Sequence, residues 1–311
     1  MAEAPGDLLS PGFMHQLERL DVLSRKILQG KLQGERRSKR RGQSVEFADY
    51  RNYVVGDDLR FIDWNLYARL DRLFLRLFLE EEDLSVSVLL DASRSMDYGQ
   101  PQKLAIGRRL AAALGYIGLV NYNRVSLYGF ADSLLGQVTN LRGRRPVPQM
   151  LEFLLSLEPP DTPPETRASD APGRSGLAES LRHFALAQRS KGLVIVISDF
   201  LDKGDVGESL RYVAADRFDA YAIQLLAPQE VDPVGGGVVG DLRLRDIEDG
   251  DIAEVSVGQA LLRRYKANLQ AYCHHVRDQC RRRGIAYMIS DTSVPFETLV
   301  LKYLRERGLL G

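Results

Sequence analysis

Short apolar runs alternate with longer stretches of helical periodicity through most of this chain. The runs at residues 86–90, 125–130 and 193–198 are separated by segments such as residues 103–120, which are apolar over more than half of a helix surface. Strands joined through helices of this length are parallel, and helices then cover both faces of the sheet. The alternation therefore predicts an α/β fold with a doubly wound, mostly parallel sheet.

The remaining elements follow from the same periodicities. A strand at residues 73–79 precedes an acidic turn, so it can lie antiparallel to the strand at 86–90. Ligands of parallel sheets bind at the carboxyl ends of the strands, where Asp91 and Asp199 lie. We predict further helices at 147–157, 177–189, 207–217, 259–283 and 295–307, and further strands at 136–139, 220–226 and 285–290.

Two segments extend this core. Apolar residues at three- and four-residue steps predict an amphipathic helix over residues 11–28. Three glycines at residues 235–237 open a polar segment that we interpret as a hairpin, with its turn at residues 248–251. We expect an N-terminal helical extension at 1–35, a charged segment at 36–82 that packs on the main domain, and the main domain at 83–311 with its hairpin insertion at about 229–257.

Composition narrows the class of partner. The chain has 311 residues, 44% of them apolar, and 42 basic residues balance 42 acidic ones. This balance argues against nucleic acid as a partner, although the basic run at residues 36–41 keeps nucleic-acid contact as a minor alternative to a solvated loop. The first seven residues lack the features of a secretory signal, and no apolar stretch reaches a membrane-spanning length. We expect a cytoplasmic protein without membrane insertion.

Oxygen-bearing side chains follow the first buried strand at alternate positions. Asp91, Ser93 and Ser95 stand directly after the apolar run at 86–90. Mg²⁺ takes oxygen ligands in octahedral geometry and is satisfied by hydroxyls with a carboxylate or two. By itself this loop can equally be a turn capped by its own serines.

Two further loops complete a pattern that resembles the metal-ion-dependent adhesion site of von Willebrand factor A domains. Ser175 stands where that family has a ligating threonine, Gly176 replaces the usual polar residue after it, and Asp199 ends a second apolar strand. The resemblance implies a von Willebrand factor A-like (Rossmann-like) fold that binds Mg²⁺ or Mn²⁺. It also implies that Ser93, Ser95 and Ser175 ligate directly, that Asp91 and Asp199 act largely through waters, and that a partner protein supplies an Asp or Glu.

A long charged string precedes the metal loops. It comprises Glu46-Phe47, Arg51-Asn52-Tyr53, Gly56-Asp57-Asp58-Leu59-Arg60, Ile62-Asp63-Trp64 and Ala68-Arg69. This string closely resembles the signature of the domain-of-unknown-function family fifty-eight, whose members carry an A-like domain directly after it. The resemblance implies a partnership with MoxR-type AAA ATPases or their clients, in the assembly or maturation of protein complexes.

The chemistry of the same string admits two interpretations. Arg51, Arg60 and Arg69 can pair with Asp57, Asp58 and Asp63 in a network around Trp64. Such a network, which includes Tyr53 in the string, is either structural or a surface for docking a partner.

The function that these patterns favour is binding rather than catalysis. We expect a non-enzymatic, metal-dependent protein-interaction module that acts as an adaptor or co-chaperone. The alternative is a metal-dependent phosphoesterase that uses Asp91 as its nucleophile. That alternative is weakened because phosphatases with this loop carry a second Asp where this chain has Ser93, so the general acid is missing.

Overall fold

The computed structural model describes residues 8–22, 46–79, 84–160, 176–188, 190–202, 204–214, 217–235, 240–245, 252–306 and 308–311. The chain divides into two compact units, each considered by itself. The first comprises Met1–Leu28 with Leu84–Gly311, and the second comprises Gln29–Asp83.

Ten strands are present in the described residues. Six of them form the central sheet of the first unit, in the order β10-β7-β6-β3-β4-β5, and only β5 is antiparallel to its neighbour. The predicted α/β fold with a mostly parallel sheet is therefore confirmed. The strands are β1 (Glu46–Asn52), β2 (Phe74–Leu79), β3 (Ser85–Asp91), β4 (Arg124–Phe130), β5 (Leu134–Leu141), β6 (Gly192–Ser198), β7 (Phe218–Leu226), β8 (Gly240–Arg245), β9 (Ile252–Val257) and β10 (Ala286–Asp291).

Helices flank the sheet on both faces. The predicted helix at residues 103–120 has those bounds in the structure. The helices are α1 (Pro11–Leu17), α2 (Trp64–Leu70), α3 (Lys103–Val120), α4 (Val147–Ser156), α5 (Gly176–Ala187), α6 (Val206–Leu210), α7 (Pro228–Val231), α8 (Gln259–Arg282), α9 (Phe296–Thr298) and α10 (Leu304–Glu306), with a π-helical turn at Leu299–Tyr303 between the last two.

The central strands are buried on both faces, which is why they read as continuous apolar runs. All residues of β3, β6 and β7 are buried. Successive side chains enter opposite layers, since Val88 and Leu90 belong to one apolar cluster and Leu89 to the other. Helix α3 packs in the first cluster through Leu110, and α5 packs in the second through Phe184.

The N-terminal helix is shorter than its periodicity suggests. The prediction of one helix over residues 11–28 is wrong at residues 18–22, because α1 ends at Leu17, and residues 23–28 lie outside the described residues. Val22 instead forms an antiparallel bridge with Leu310, and Gly311 N donates to Asp21 O at 2.9 Å. Leu20 belongs to the predicted apolar stripe and is buried, but it reaches the core from the non-helical segment that follows α1.

The predicted helix at 207–217 is also too long, because α6 ends at Leu210 and a turn follows it. The hairpin insertion is confirmed, since β8 and β9 pair antiparallel with Leu242 opposite Val255. Its expected turn at residues 248–251 lies outside the described residues.

The second unit has its own small sheet. Strands β1 and β2 pair antiparallel, with an irregularity between Phe47 and Asp49, and Ile62 bridges to Leu75. The expected pairing between the strands at 73–79 and 86–90 is wrong. Both edges of β3 are filled by the parallel strands β4 and β6, so β2 pairs with β1 instead.

None of the helices within the described ranges is both long and apolar enough to cross a membrane.

Candidate metal centre

The predicted metal loop, residues 91–95, and the loop that carries Asp199 follow two neighbouring strands of the central sheet. Strands β3 and β6 are parallel neighbours with Leu90 opposite Ile197, so Asp91 and Ser198 end their strands at the same edge. The hydroxyl of Ser198 donates to Asp91 Oδ2 at 2.6 Å. Residues 107 positions apart in sequence thus share one hydrogen bond at the carboxyl edge of the sheet.

The loop after Asp91 is a tight turn that brings two hydroxyls together. Ser93 N donates to Asp91 Oδ1 at 2.9 Å, and a 3₁₀ turn begins at Arg94. The hydroxyl oxygens of Ser93 and Ser95 lie 3.0 Å apart, and both residues are half-buried. Oxygens at neighbouring corners of an octahedral Mg²⁺ shell with bonds of about 2.1 Å lie about 3.0 Å apart. The spacing of this pair therefore fits a magnesium ion.

Asp199 is buried and fully engaged. Its Oδ1 accepts from Leu201 N at 3.0 Å, and its Oδ2 accepts from the ammonium of Lys103 at 2.8 Å. Gln224 Nε2 holds the Asp199 backbone carbonyl at 2.7 Å. Both carboxylate oxygens of Asp199 are therefore already held by groups of the protein.

Phe200 holds the Asp199 loop in a strained shape. Its φ of 54° lies in the left-handed region, where a bulky residue costs about 1–3 kcal/mol. Tyr272 donates to Phe200 O at 2.5 Å, and Phe200 N donates to Ser198 Oγ at 2.9 Å. Strain that is held in place by surrounding contacts is typical of functional sites.

Lys103 and Glu230 belong to this centre, and the sequence motifs include neither of them. Lys103 is fully buried and its ammonium lies 2.8 Å from Asp199 Oδ2 and 2.5 Å from Glu230 Oε1. The available signal was a lysine in the first turn of a mostly apolar helix that follows the metal loop. Such a lysine must find buried carboxylates or lose its charge.

The charges of this centre are unbalanced. We call Asp91, Asp199, Glu230 and Lys103 the acidic cluster; its three carboxylates and one ammonium leave two uncompensated negative charges when all are ionised. Burial, reinforced by the charge of Asp199, raises the pKa of Asp91 to about 7. A divalent cation would neutralise the charge that burial disfavours.

Glu230 and Lys103 of the acidic cluster have shifted pKa values as well. Burial raises the pKa of Glu230 above its usual value, against the opposing charge of Lys103. Burial also opposes the charge of Lys103, but Asp199 and Glu230 outweigh it and raise the pKa of the ammonium. Lys103 is therefore a permanent cation of the centre.

The donor set is dominated by hydroxyls rather than by a cage of acidic or imidazole ligands. Within the part of the chain that the structure describes, no three His, Cys, Asp or Glu side chains converge as a metal cage. Both oxygens of Asp91 accept hydrogen bonds and the residue is 6% exposed, which leaves it poorly placed as a nucleophile.

The second predicted loop is described only from Gly176 onward, and Ser175 lies outside the described residues. A Cβ at Gly176 would lie 2.6 Å from Asp132 Cα and 2.7 Å from Ala131 O. No side chain fits there without a backbone shift. A glycine at this position therefore has a steric reason, because α5 begins against the backbone that follows β4.

The charged string of the second unit forms separate ion pairs. Arg51 binds both oxygens of Asp57 at 2.8 Å. Arg60 lies 2.5 Å from Asp58 and lowers the pKa of that carboxyl to about 2. These pairs join residues close in sequence and stabilise the turn between β1 and α2.

Asp63 has a structural role of its own. It caps α2 by accepting from Asn65 N and Leu66 N, and it accepts from the Tyr50 hydroxyl at 3.0 Å. Tyr53 is half-buried and its backbone N–H donates to Leu73 O at 2.9 Å. Both residues thus stabilise the fold of the second unit.

Trp64 and Arg69 are both exposed residues of α2. Trp64 is 60% exposed and its ring meets that of Tyr67 edge-on, with centroids 6.2 Å apart. Arg69 is exposed in the last turn. The ion pairs thus lie beside Trp64 in sequence, while the indole itself faces solvent. Among the residues of this unit whose burial the structure describes, the exposed large apolar ones are Tyr50, Val54, Val55, Leu59, Phe61, Trp64, Tyr67 and Leu70.

Comparison with known proteins places these features in a family. The family described as "Protein of unknown function DUF58" matches residues 49–268. Uncharacterized proteins of Mycobacterium bovis and of two strains of Mycobacterium tuberculosis are 28% identical to the chain over 310 residues. The match covers 98% of this chain and 94% of each relative, so the similarity extends over both units.

Proposed function

This chain belongs to the DUF58 family of proteins of unknown function, and from that premise we propose that it is a divalent-metal-dependent protein-interaction module rather than an enzyme. The observation that carries the proposal is the pair of hydroxyls of Ser93 and Ser95, 3.0 Å apart beside the buried carboxylate of Asp91. We further propose that the fold is of the von Willebrand factor A type.

The residues divide between direct and indirect ligands. Ser93 and Ser95 would hold Mg²⁺ or Mn²⁺ through their hydroxyls, and Ser175 is proposed as the third hydroxyl. Asp91 and Asp199 would accept hydrogen bonds from waters on the ion, since the backbone and neighbouring side chains already hold their oxygens. A bound ion with neutral direct ligands supplies a positive centre that attracts a carboxylate.

The partner would be a protein that presents an Asp or Glu to this centre. We propose a MoxR-type AAA ATPase or its client, with the chain acting as an adaptor or co-chaperone in the assembly of protein complexes. The exposed Trp64 and Arg69 are of the residue types enriched in protein interfaces, which supports a docking role for α2.

Calorimetric titration with Mg²⁺ and Mn²⁺ tests the proposal. The chelator-stripped protein should bind one ion saturably, and folded Asp91→Ala and Ser175→Ala variants should lose this binding. Ser190→Ala is a matched control, because Ser190 is exposed and lies at the opposite, amino end of β6. Absence of binding in the unaltered protein would contradict the proposal.

A further inference from the structure

Lys103 places a fixed positive charge inside the proposed metal centre. It is fully buried at the start of α3, and its ammonium bridges Asp199 and Glu230, which lie 96 and 127 residues away in sequence. Burying an ammonium group costs free energy unless carboxylates pair with it. Asp199 and Glu230 supply these carboxylates, so Lys103 can remain charged.

We propose that Lys103 is a positioning residue that competes with the divalent cation for the carboxylate of Asp199 and so lowers the metal affinity of the centre. This inference rests on the proposed function. Asp199 Oδ1 already accepts a hydrogen bond from Leu201 N. Waters on the ion would therefore hydrogen-bond to Asp199 Oδ2, the oxygen that accepts from Lys103.

Glu230 makes this exchange feasible. Its Oε1 accepts from Lys103 at 2.5 Å and its Oε2 accepts from Ala227 N at 2.7 Å, which fixes the carboxylate at the start of α7. When Asp199 turns toward a metal, Lys103 keeps Glu230 as its partner. The buried ammonium of Lys103 therefore stays paired, and the exchange avoids the large free-energy cost of an unpaired buried charge.

The position of Glu230 is itself secured from a second element. Tyr265 of α8 donates to Glu230 O at 2.9 Å, so the backbone that carries the carboxylate is tied to the long helix. Glu230 therefore offers Lys103 a fixed counter-charge, whereas Asp199 is the partner shared with the metal.

The decisive variant is the double substitution Lys103→Met with Glu230→Gln. It removes one positive and one negative charge, so the net charge of the acidic cluster stays the same while the competitor for Asp199 disappears. Calorimetric titration should show Mg²⁺ bound about tenfold more tightly than in the unaltered protein, a difference of about 1.4 kcal/mol in binding free energy. Equal or weaker binding would overturn the inference.

A matched control is available on the surface. The pair Lys266–Asp232, at 2.7 Å with both side chains about half exposed, can be neutralised in the same way by Lys266→Met with Asp232→Asn. This variant should leave Mg²⁺ affinity unchanged. A tenfold gain there would mean that charge removal anywhere produces the effect, and it would also overturn the inference.

A measurement on the unaltered protein covers the case in which the double variant does not fold. With ¹⁵N-labelled lysine, the buried ammonium of Lys103 should give a signal that shifts during Mg²⁺ titration, with the same midpoint as calorimetry. Saturable Mg²⁺ binding without such a shift would refute competition by Lys103 and leave the proposed function intact. No binding at all in calorimetry would remove both proposals.

Discussion

The hydroxyl of Ser198 links two strand ends of the central sheet by donating to Asp91 Oδ2 at 2.6 Å. The hydroxyl oxygen of Ser198 also accepts from Phe200 N at 2.9 Å, so one side chain fixes the metal-loop carboxylate and the strained loop that carries Asp199. Ser198 and Asp91 are both buried, so water cannot replace this hydrogen bond when one of its partners is removed.

Replacing Ser198 by Ala should therefore destabilise the protein more than a surface serine would. It leaves Asp91 Oδ2 and Phe200 N without their partners. A buried polar group left unsatisfied costs about 1–3 kcal/mol. Urea unfolding followed by circular dichroism measures this, with Ser190→Ala as the matched variant; equal stability of the two variants would show that this hydrogen bond contributes little.

Replacing a serine of the metal loop should weaken Mg²⁺ binding but leave the stability of the fold nearly unchanged. Ser93 and Ser95 are half-buried and their hydroxyls contact each other, so Ser93→Ala or Ser95→Ala should change the free energy of unfolding by no more than about 0.5 kcal/mol. Either change should weaken Mg²⁺ binding at least tenfold, because a direct ligand is lost. A fold that is weakened without loss of Mg²⁺ affinity would identify these serines as turn caps.

A single methyl group at Gly176 should disturb the second loop. Its Cβ would meet the backbone of Ala131 and Asp132 at 2.6–2.7 Å, and overpacking of this kind costs about 1–3 kcal/mol. We expect Gly176→Ala to lower both the melting temperature and the Mg²⁺ affinity. Gly258→Ala is the control, since a Cβ there meets nothing within 4 Å. Equal melting temperatures for the two variants would mean that the backbone yields easily.

Removing the metal should lower the free energy of unfolding. A ligand present at 100 times its dissociation constant and bound only by the folded state adds about 2.7 kcal/mol to the free energy of unfolding. Adding Mg²⁺ to the chelator-stripped protein should therefore raise its melting temperature. The Asp91→Ala variant should show no such rise, and a rise of equal size in both proteins would indicate binding elsewhere.

The substitution Trp64→Ala distinguishes a docking role of the second unit from a purely structural role. Its side chain is 60% exposed, so Trp64→Ala should change the free energy of unfolding by only about 0.5 kcal/mol. If α2 docks a partner, the variant should bind a MoxR-type ATPase at least tenfold more weakly in a surface plasmon resonance assay. Leu186→Ala, at a residue 72% exposed on α5, is the control. Unchanged binding by the Trp64 variant would exclude this docking surface.

The sequence by itself determined the α/β class, the bounds of α3 and the strand ends that carry Asp91 and Asp199. These features follow from periodicities of two and 3.6 residues, which are properties of neighbouring residues. It also predicted the metal loop, because Asp91, Ser93 and Ser95 lie within five residues.

Only the tertiary structure decided which distant groups meet. The end of α1 depends on a bridge between Val22 and Leu310, and the partner of β2 depends on β3 having both edges filled. The placement of Lys103 between Asp199 and Glu230 depends on the order of strands in the sheet. Local periodicity carries no information about such contacts, because strand order and burial are fixed by the packing of the whole chain.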